Sequence, residues 1–334
     1  MNKTLIEWCL NPDGSPGYTW NVITGCLGPK GDGVHCPYCY ARRLANGRLK
    51  QRYLANGLVA CDYEGGEDGS DNELKVALTD PFYPRFWEER LKDIERPLYP
   101  FSIWSNNNES RTKPIECLPV NRHAKRKKVG IFTCDMSDLF GIGIPEEWTR
   151  QVLDVIRTNS VDRFYLLTKQ PQNLIKWSPF PENCWVGVTA TEQCQFVRAV
   201  SELRFIEATI KYLSFEPLLA HIPMLPEALT LAGINWLIIG AMTGNLEDIK
   251  KMLMEYPQLD LKTYDYKRWT LQPKLEWVEE IVKAADKAGI SVFLKDNLKP
   301  LLINKKGFAN VSVGTMIERE IEKSDYKLRQ EMPK

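Results

Sequence analysis

Three cysteines, Cys26, Cys36 and Cys39, stand in a C-x9-C-x2-C arrangement. The C-x2-C pair turns two thiols toward one centre, and Gly28, Pro29, Gly31 and Gly33 let the intervening loop fold back so that Cys26 can join them. Thiolates are the soft ligands of iron–sulfur clusters and of zinc. Three of them on a 4Fe-4S cluster leave one iron with no protein ligand, open to a small molecule. A structural zinc ion instead needs a fourth donor, for which His35 and Cys9 are candidates. His35 is poorly placed for it, because adjacent residues seldom reach one tetrahedral ion well.

The cysteines follow a strand-like run, YTWNVITG, and precede a helical one, ARRLANGRLKQR. In this setting the motif resembles that of the radical S-adenosylmethionine superfamily, with Tyr38 in the aromatic place before the third cysteine. It departs in its first spacing, where nine residues stand for the usual three. A closer resemblance, to a phage-associated branch with a three-cysteine motif, covers most of the chain. It rests on IEW (6–8), TWNVITGC (19–26), CPYCYARRLA (36–45), FYPRFWEERL (82–91), FTCDMSDLFG (132–141) and LLTKQPQNL (166–174). WVGVTATEQ (185–193), YLSFEPLLA (212–220), INWLIIGAMTG (234–244) and VFLKDN (292–297) continue it. The resemblance implies that Cys26, Cys36 and Cys39 hold a 4Fe-4S cluster and that S-adenosylmethionine chelates the open iron. It further implies that an electron donor reduces the cluster, so that the sulfonium is cleaved and a hydrogen atom is taken from a substrate.

Such a loop needs a scaffold. From residue 127 onward, β-branched and aromatic runs (128–134, 163–169, 184–191, 210–218, 234–242 and 291–296) alternate with amphipathic helical stretches such as PEEWTRQVLDVIRT, TEQCQFVRAVSELRFI and PKLEWVEEIVKAADKAG. Alternation of this kind predicts a parallel sheet covered by helices. With the strand before Cys26 it gives an α/β fold, an incomplete parallel (β/α) barrel of about six or seven units with insertions; a doubly wound open sheet is the competing architecture. Residues 1–50 supply the cluster-binding strand, loop and helix. Residues 51–126 read as an insertion or lid, with an acidic glycine-rich stretch at 64–73 and a basic run at 122–128. Residues 127–334 hold the remaining units of the same barrel, interrupted by a second insertion at 245–272 that looks helical in LEDIKKMLMEY.

In parallel α/β folds ligands bind beyond the carboxyl ends of the strands. Polar residues at those ends are Asp135, Ser137 and Asp138, then Lys169, Thr189 with Thr191, Glu216, the turn from Gly240 to Gly244, and Lys295 with Asp296. Asp135, Ser137 and Glu216 suit a sulfonium or ammonium. Lys169 and the turn at Gly240 suit a carboxylate, and Thr189 suits ribose hydroxyls. Against this, Ser137 and Asp138 are equally good helix or turn caps. Glu216 lies among Phe215, Pro217 and Leu218, where an unpaired carboxylate is costly, so a partner is expected.

Lys plus Arg number 44 and Asp plus Glu 43, a net charge of +1, so the whole-molecule field favours neither nucleic acid nor a membrane surface. The basic segments and Tyr40, Tyr53, Phe82, Phe86 and Trp87 would serve a nucleotide or nucleic-acid substrate if they contact phosphate and stack bases; the plainer reading is a solvated charge run and packed aromatics. Nine cysteines, an odd number in a chain that needs no staples, and the lack of a leader or a spanning apolar run point to the cytoplasm. The remaining cysteines read as core thiols, with Cys134 set apart by its place at a strand end. A hydrolase or lyase working through His35, His123 or His221 is disfavoured, since none lies at a strand end. The alternative to a radical enzyme is a zinc-stabilised nucleic-acid-binding or scaffold module without turnover.

Overall fold

A computed structural model describes residues 1–60, 70–94, 127–264, 268–302, 317–319 and 327–333. The acidic residues 64–69, most of the basic run, Cys61 and Cys117 lie outside the described residues. The chain begins with β1 (Asn2–Lys3), β2 (Tyr18–Trp20), β3 (Ile23–Thr24), α1 (Tyr40–Asn46), α2 (Lys50–Leu54), α3 (Ser70–Thr79) and β4 (Arg85–Phe86). There follow β5 (Gly130–Thr133), α4 (Glu146–Thr158), β6 (Arg163–Thr168), β7 (Cys184–Thr189), α5 (Gln193–Leu203), β8 (Ile210–Phe215), α6 (Pro226–Leu231) and β9 (Trp236–Ile239). Beyond them lie β10 (Met242–Gly244), α7 (Leu246–Glu255), β11 (Asp260–Thr263), β12 (Trp269–Gln272), α8 (Leu275–Ala288) and β13 (Ser291–Leu294).

The main sheet has eight strands in the order β1-β2-β5-β6-β7-β8-β9-β13. Every pairing from β2 to β13 is parallel, and only the edge strand β1 is antiparallel. Spatial order follows chain order without reversal. A doubly wound sheet reverses at a switch point, whereas a barrel is wound in one direction, so the topology decides for the incomplete barrel. The crossover helices form where the sequence places them. α4, for example, opens on Pro145 with Glu146 and Glu147 in its first turn and buries Trp148, Val152 and Ile156 at four-residue spacing.

Strand residues alternate between two packed faces. Ile131, Phe164, Val186, Leu213, Leu237 and Val292 meet the helices in one core. The opposite face carries Phe132, Tyr165, Trp185, Tyr212, Trp236 and Phe293 around Trp8. The Trp8 ring lies 4.9 Å from Phe132 on β5, 5.7 Å from Tyr165 on β6, 6.1 Å from Tyr212 on β8 and 6.2 Å from Trp236 on β9. In a flat sheet β5 and β9 would stand about 19 Å apart. One indole touching both means that the sheet curls around it.

Gly187 on β7 faces the same interior, and a Cβ there would overlap the Tyr212 ring. Gly187→Ala is therefore expected to lower unfolding free energy by about 1–3 kcal/mol, read as a lower urea midpoint.

The run at 234–242 ends earlier than its apolar pattern suggests. β9 stops at Ile239, and Met242 opens a separate antiparallel sheet, β10-β12-β11, packed with α7.

Candidate functional site

The cysteine loop leaves β3 and crosses the carboxyl ends of the parallel strands. Gly28 adopts φ +86°, with Val34 so close that no side chain fits, and its amide donates to Cys26 Sγ at 3.2 Å. Gly33 N donates to Leu27 O at 2.8 Å and closes the loop. The Cys39 amide donates to Cys36 O at 3.0 Å, so the C-x2-C pair occupies one turn. Cys39 then caps α1, its Sγ accepting from Arg42 N at 3.4 Å. All three are free thiols, neither fully buried nor fully exposed.

Burial pushes the Cys26 thiol up to about 12, with the Asp138 carboxylate adding to it, and burial also raises Cys39. These thiols are protonated and poorly nucleophilic at neutral pH. They give up their protons only to a ligand that stabilises thiolate, as a soft metal does.

The strand ends bring polar groups to this loop. Cys134, at the end of β5, takes the left-handed conformation with φ +58°, unusual for a side chain with a Cβ, and it turns Asp135 outward from the strand. The Asp135 carboxylate accepts from Asn21 Nδ2 at 2.6 Å and from Tyr40 Oη at 3.0 Å, and burial raises its pKa. Ser137 Oγ donates to Gly25 O at 2.5 Å. Asp138 accepts from the amides of Lys169 and Phe140 at 2.9 and 3.2 Å. Ser137 thus ties down the start of the cysteine loop, and Asp138 fixes the backbone at Lys169 and at its own turn.

Lys169, beyond β6, sets its ammonium 5.9 Å from the Tyr38 ring centre. Burial alone would lower its pKa, but Tyr38, Cys36, Cys39 and Asp138 reverse the effect and hold it above the ordinary value, so the group is charged. Thr189 is buried at the end of β7. Two residues on, Thr191 acts on the Tyr38 hydroxyl, as Cys36 does, and Thr191 is itself held by Gln195.

On the far side of the mouth, Glu216 pairs with Lys295. Gly240 makes room for the pair: a Cβ there would stand 3.1 Å from Lys295 Cδ, 3.2 Å from Glu216 Cγ and 3.3 Å from Asn297 Oδ1. Glu7 completes the group, its carboxylate accepting from Asp296 N at 2.6 Å. Tyr40 joins the two sides, since Asp135, Cys39 and Glu216 all act electrostatically on its hydroxyl. The unit from β10 to β12 borders the loop as well. Tyr38 packs against Leu219, Met242 and Ile249, and Arg43 pairs with Asp248 at 3.0 Å.

A family model described as a protein of unknown function, DUF5131, matches residues 3–257, the greater part of the chain. The chain belongs to DUF5131. No curated protein matches it in sequence. Among solved structures it is similar to a spore photoproduct lyase complexed with dinucleoside spore photoproduct, with a TM-score of 0.46 and 12% identity over 85% of this chain and 78% of that one. It is likewise similar to a double mutant of the lyase with bound AdoMet and dinucleoside spore photoproduct, with a TM-score of 0.46 and 11% identity over 85% and 76% of the two chains.

In this DUF5131 protein the sequence reading missed Glu7 and Asn21, named Thr191 only beside Thr189, and gave Tyr40 as a base-stacking aromatic and not as the partner of Asp135. Glu7 and Asn21 stand among apolar residues, in IEW and WNVI, a signal like the one that singled out Glu216. Nothing marked Tyr40 as the partner of Asp135, 95 residues away. Tyr53, Phe82, Phe86 and Trp87 are buried and pack rather than present faces to solvent, whereas Tyr40 is 42% exposed.

The Glu7, Lys295 and Glu216 group makes a pH-dependent prediction. Lys295→Met leaves two carboxylates without their ammonium and is expected to cost about 3–5 kcal/mol at neutral pH. Burial already raises Glu7 above its ordinary 4.5, so the folded state binds that proton more tightly than the unfolded chain. Stability from a raised carboxyl is present below about 4.5 and is lost as pH rises through the folded value. The deficit of the variant should therefore shrink as pH falls from 7 toward 5. A deficit that stays constant over that range would show that the carboxylates are not the source.

Proposed function

We propose that this DUF5131 protein is a radical S-adenosylmethionine enzyme of the phage-associated three-cysteine branch. In this reading Cys26, Cys36 and Cys39 hold a 4Fe-4S cluster whose fourth iron takes S-adenosylmethionine. The observation that carries it is three free thiols on one loop over the carboxyl ends of a one-way parallel sheet, beside the charged Lys169. The donor chemistry fits the group. Each of two sulfurs already accepts a backbone amide, an arrangement that would also favour the thiolate a metal requires.

The bound cluster, once reduced by an electron donor, would supply the electron that breaks the sulfonium and yields a 5′-deoxyadenosyl radical able to take a hydrogen atom. The chain's own residues bind and orient. Lys169, for which no carboxylate lies within ion-pair distance among the described residues, would receive the methionyl carboxylate. Tyr38 and Thr191 would wall that side, and Thr189 lies behind them at the end of β7. Asp135 and Glu216 would face the cationic end. Ser137 and Gly240 serve as positioning residues, the first fixing the loop and the second leaving room for the Glu216 and Lys295 pair.

The zinc reading draws less support. Among the described residues no three His, Cys, Asp or Glu side chains, the three cysteines included, gather closely enough to hold one metal ion, so the two readings divide on whether a fourth donor is at hand. Cys9 is buried beside Tyr18 and Gly130, at the start of β5, while the cysteine loop meets the end of that strand. That leaves His35, whose Nδ1 is buried without a hydrogen-bond partner.

The test is anaerobic reconstitution with iron and sulfide, then reduction with S-adenosylmethionine present. One cluster per chain and release of 5′-deoxyadenosine are expected. A colourless protein carrying stoichiometric zinc and taking up no cluster would overturn the proposal.

A further inference from the structure

Between Gly33 and Cys61 the chain carries Arg42, Arg43, Arg48, Lys50 and Arg52 and no Asp or Glu, although the protein as a whole is balanced to +1. The fold turns this acid-free run into α1 and α2, starting directly at Cys39. Arg42, Arg48, Lys50 and Arg52 are exposed. Only Arg43 of the five is paired with a carboxylate among the described residues, to Asp248.

A second observation points the same way. The guanidinium of Arg90 lies 3.8 Å from the Trp87 ring centre, and that of Arg52 reaches the same ring at 5.9 Å. Two like charges are thus gathered on one indole. Arg90 is fixed there by donating to Asn21 O at 2.6 Å, the residue whose side chain holds Asp135. Burial lowers the pKa of Arg90 and Arg52 lowers it further, while Tyr53, Glu89 and Asp93 offset part of the effect; an anion placed between the two guanidiniums would offset more of it.

We propose that the α1–α2 face, through Arg48, Lys50, Arg52 and Arg90, docks the phosphate backbone of a nucleic acid whose reacting nucleotide enters the mouth beside Tyr40 and Asp135. The proposal rests on the mouth being the reacting site, and it names the substrate class of that site. Guanidinium forks match phosphate oxygens in pairs, and cations spread from the turn after α1 along α2 to Arg90 suit a chain of phosphates better than a single one. The balanced total charge confines this attraction to one face, so that docking brings the nucleic acid to the cysteines.

The experiment is fluorescence anisotropy with a labelled single strand and its duplex, on cluster-free protein, across a range of KCl concentrations. Binding of at least one form is expected, weakening with salt. Arg48→Glu/Lys50→Glu/Arg52→Glu should weaken it by at least about tenfold and flatten the log–log salt slope by about three. The control Lys283→Glu/Lys287→Glu on α8 should leave it unchanged. Should the triple variant melt early, Arg48→Gln/Lys50→Gln replaces it and should still lower affinity and slope.

No binding of either form at low salt, or equal losses in the α1–α2 and α8 variants, would overturn the proposal. So would an α1–α2 variant that binds as tightly as the parent. The measurement needs neither cluster nor reductant, so its failure and a failure of S-adenosylmethionine cleavage are separate results.

Discussion

Reconstituted protein carrying Cys26→Ala, Cys36→Ala or Cys39→Ala is expected to release no 5′-deoxyadenosine above the unreduced control, while its melting temperature stays near that of the parent. The two halves of this expectation have different physical sources. Cluster ligands act as a unit, so one missing thiolate should cost as much as all three. None of the three thiols is part of the buried core, and losing one small, partly exposed sulfur creates little cavity.

A structural zinc site predicts the reverse pattern. There metal binding is folding free energy, each cysteine variant would melt early, and a chelator would unfold the parent. Lys169→Met divides the proposal further. It should leave cluster content intact and raise the S-adenosylmethionine concentration needed for half-maximal cleavage, by about 10- to 100-fold for the loss of one charge-assisted contact. A variant that keeps its affinity but loses its cluster would move Lys169 from ligand binding to support of the loop.

What the sequence made legible follows from the range over which each signal acts. The seven strand runs of the one-way sheet and the helices α4, α5 and α8 declare themselves within windows of ten or so residues, through period-2 or period-3.6 burial. The three cysteines stand out by spacing, and the structure puts all three on one loop. The winding direction has no local signature, because it depends on which strand becomes the neighbour of which, and only the pairing order separates a barrel from a doubly wound sheet. Glu7 illustrates the same limit in the site. Its partner Asp296 is 289 residues away, and the two meet only because the ends of the chain are brought to one mouth. The segment after β9 failed for another reason. Ala241 and Met242 continue the apolar run of Ile238 and Ile239, yet a hydrogen-bonded clamp from Asn297 onto Ala241 N and O ends the strand there. An apolar pattern cannot show that a distant amide takes over the backbone groups.

Trp8→Ala is expected to lower unfolding free energy by about 3–5 kcal/mol, the range for removing a large aromatic from a packed interior. The indole is 2% exposed and contacts rings from β5, β6, β8 and β9, so its loss opens a cavity that no single strand can fill by shifting. The surrounding rings are themselves fixed. Tyr165 Oη donates to Leu10 O at 2.8 Å, Tyr212 Oη to Leu166 O at 2.9 Å and Trp236 Nε1 to Glu331 O at 2.8 Å, so collapse around the void would break buried hydrogen bonds. Trp8→Phe should cost far less, because the indole Nε1 has no acceptor among the described residues and only ring volume is lost. The comparison also tests how the scaffold reaches the site. Glu7 precedes Trp8 and takes the Asp296 amide, so a loosened Trp8 should free Glu7 from the Lys295 group. The Ala variant should then lose S-adenosylmethionine cleavage at temperatures where it is still folded, with the Phe variant near normal. Urea unfolding and cleavage assays of the pair check both points. An Ala variant within about 1 kcal/mol of the parent would mean that the outer helices, and not the aromatic interior, hold the sheet in its curve.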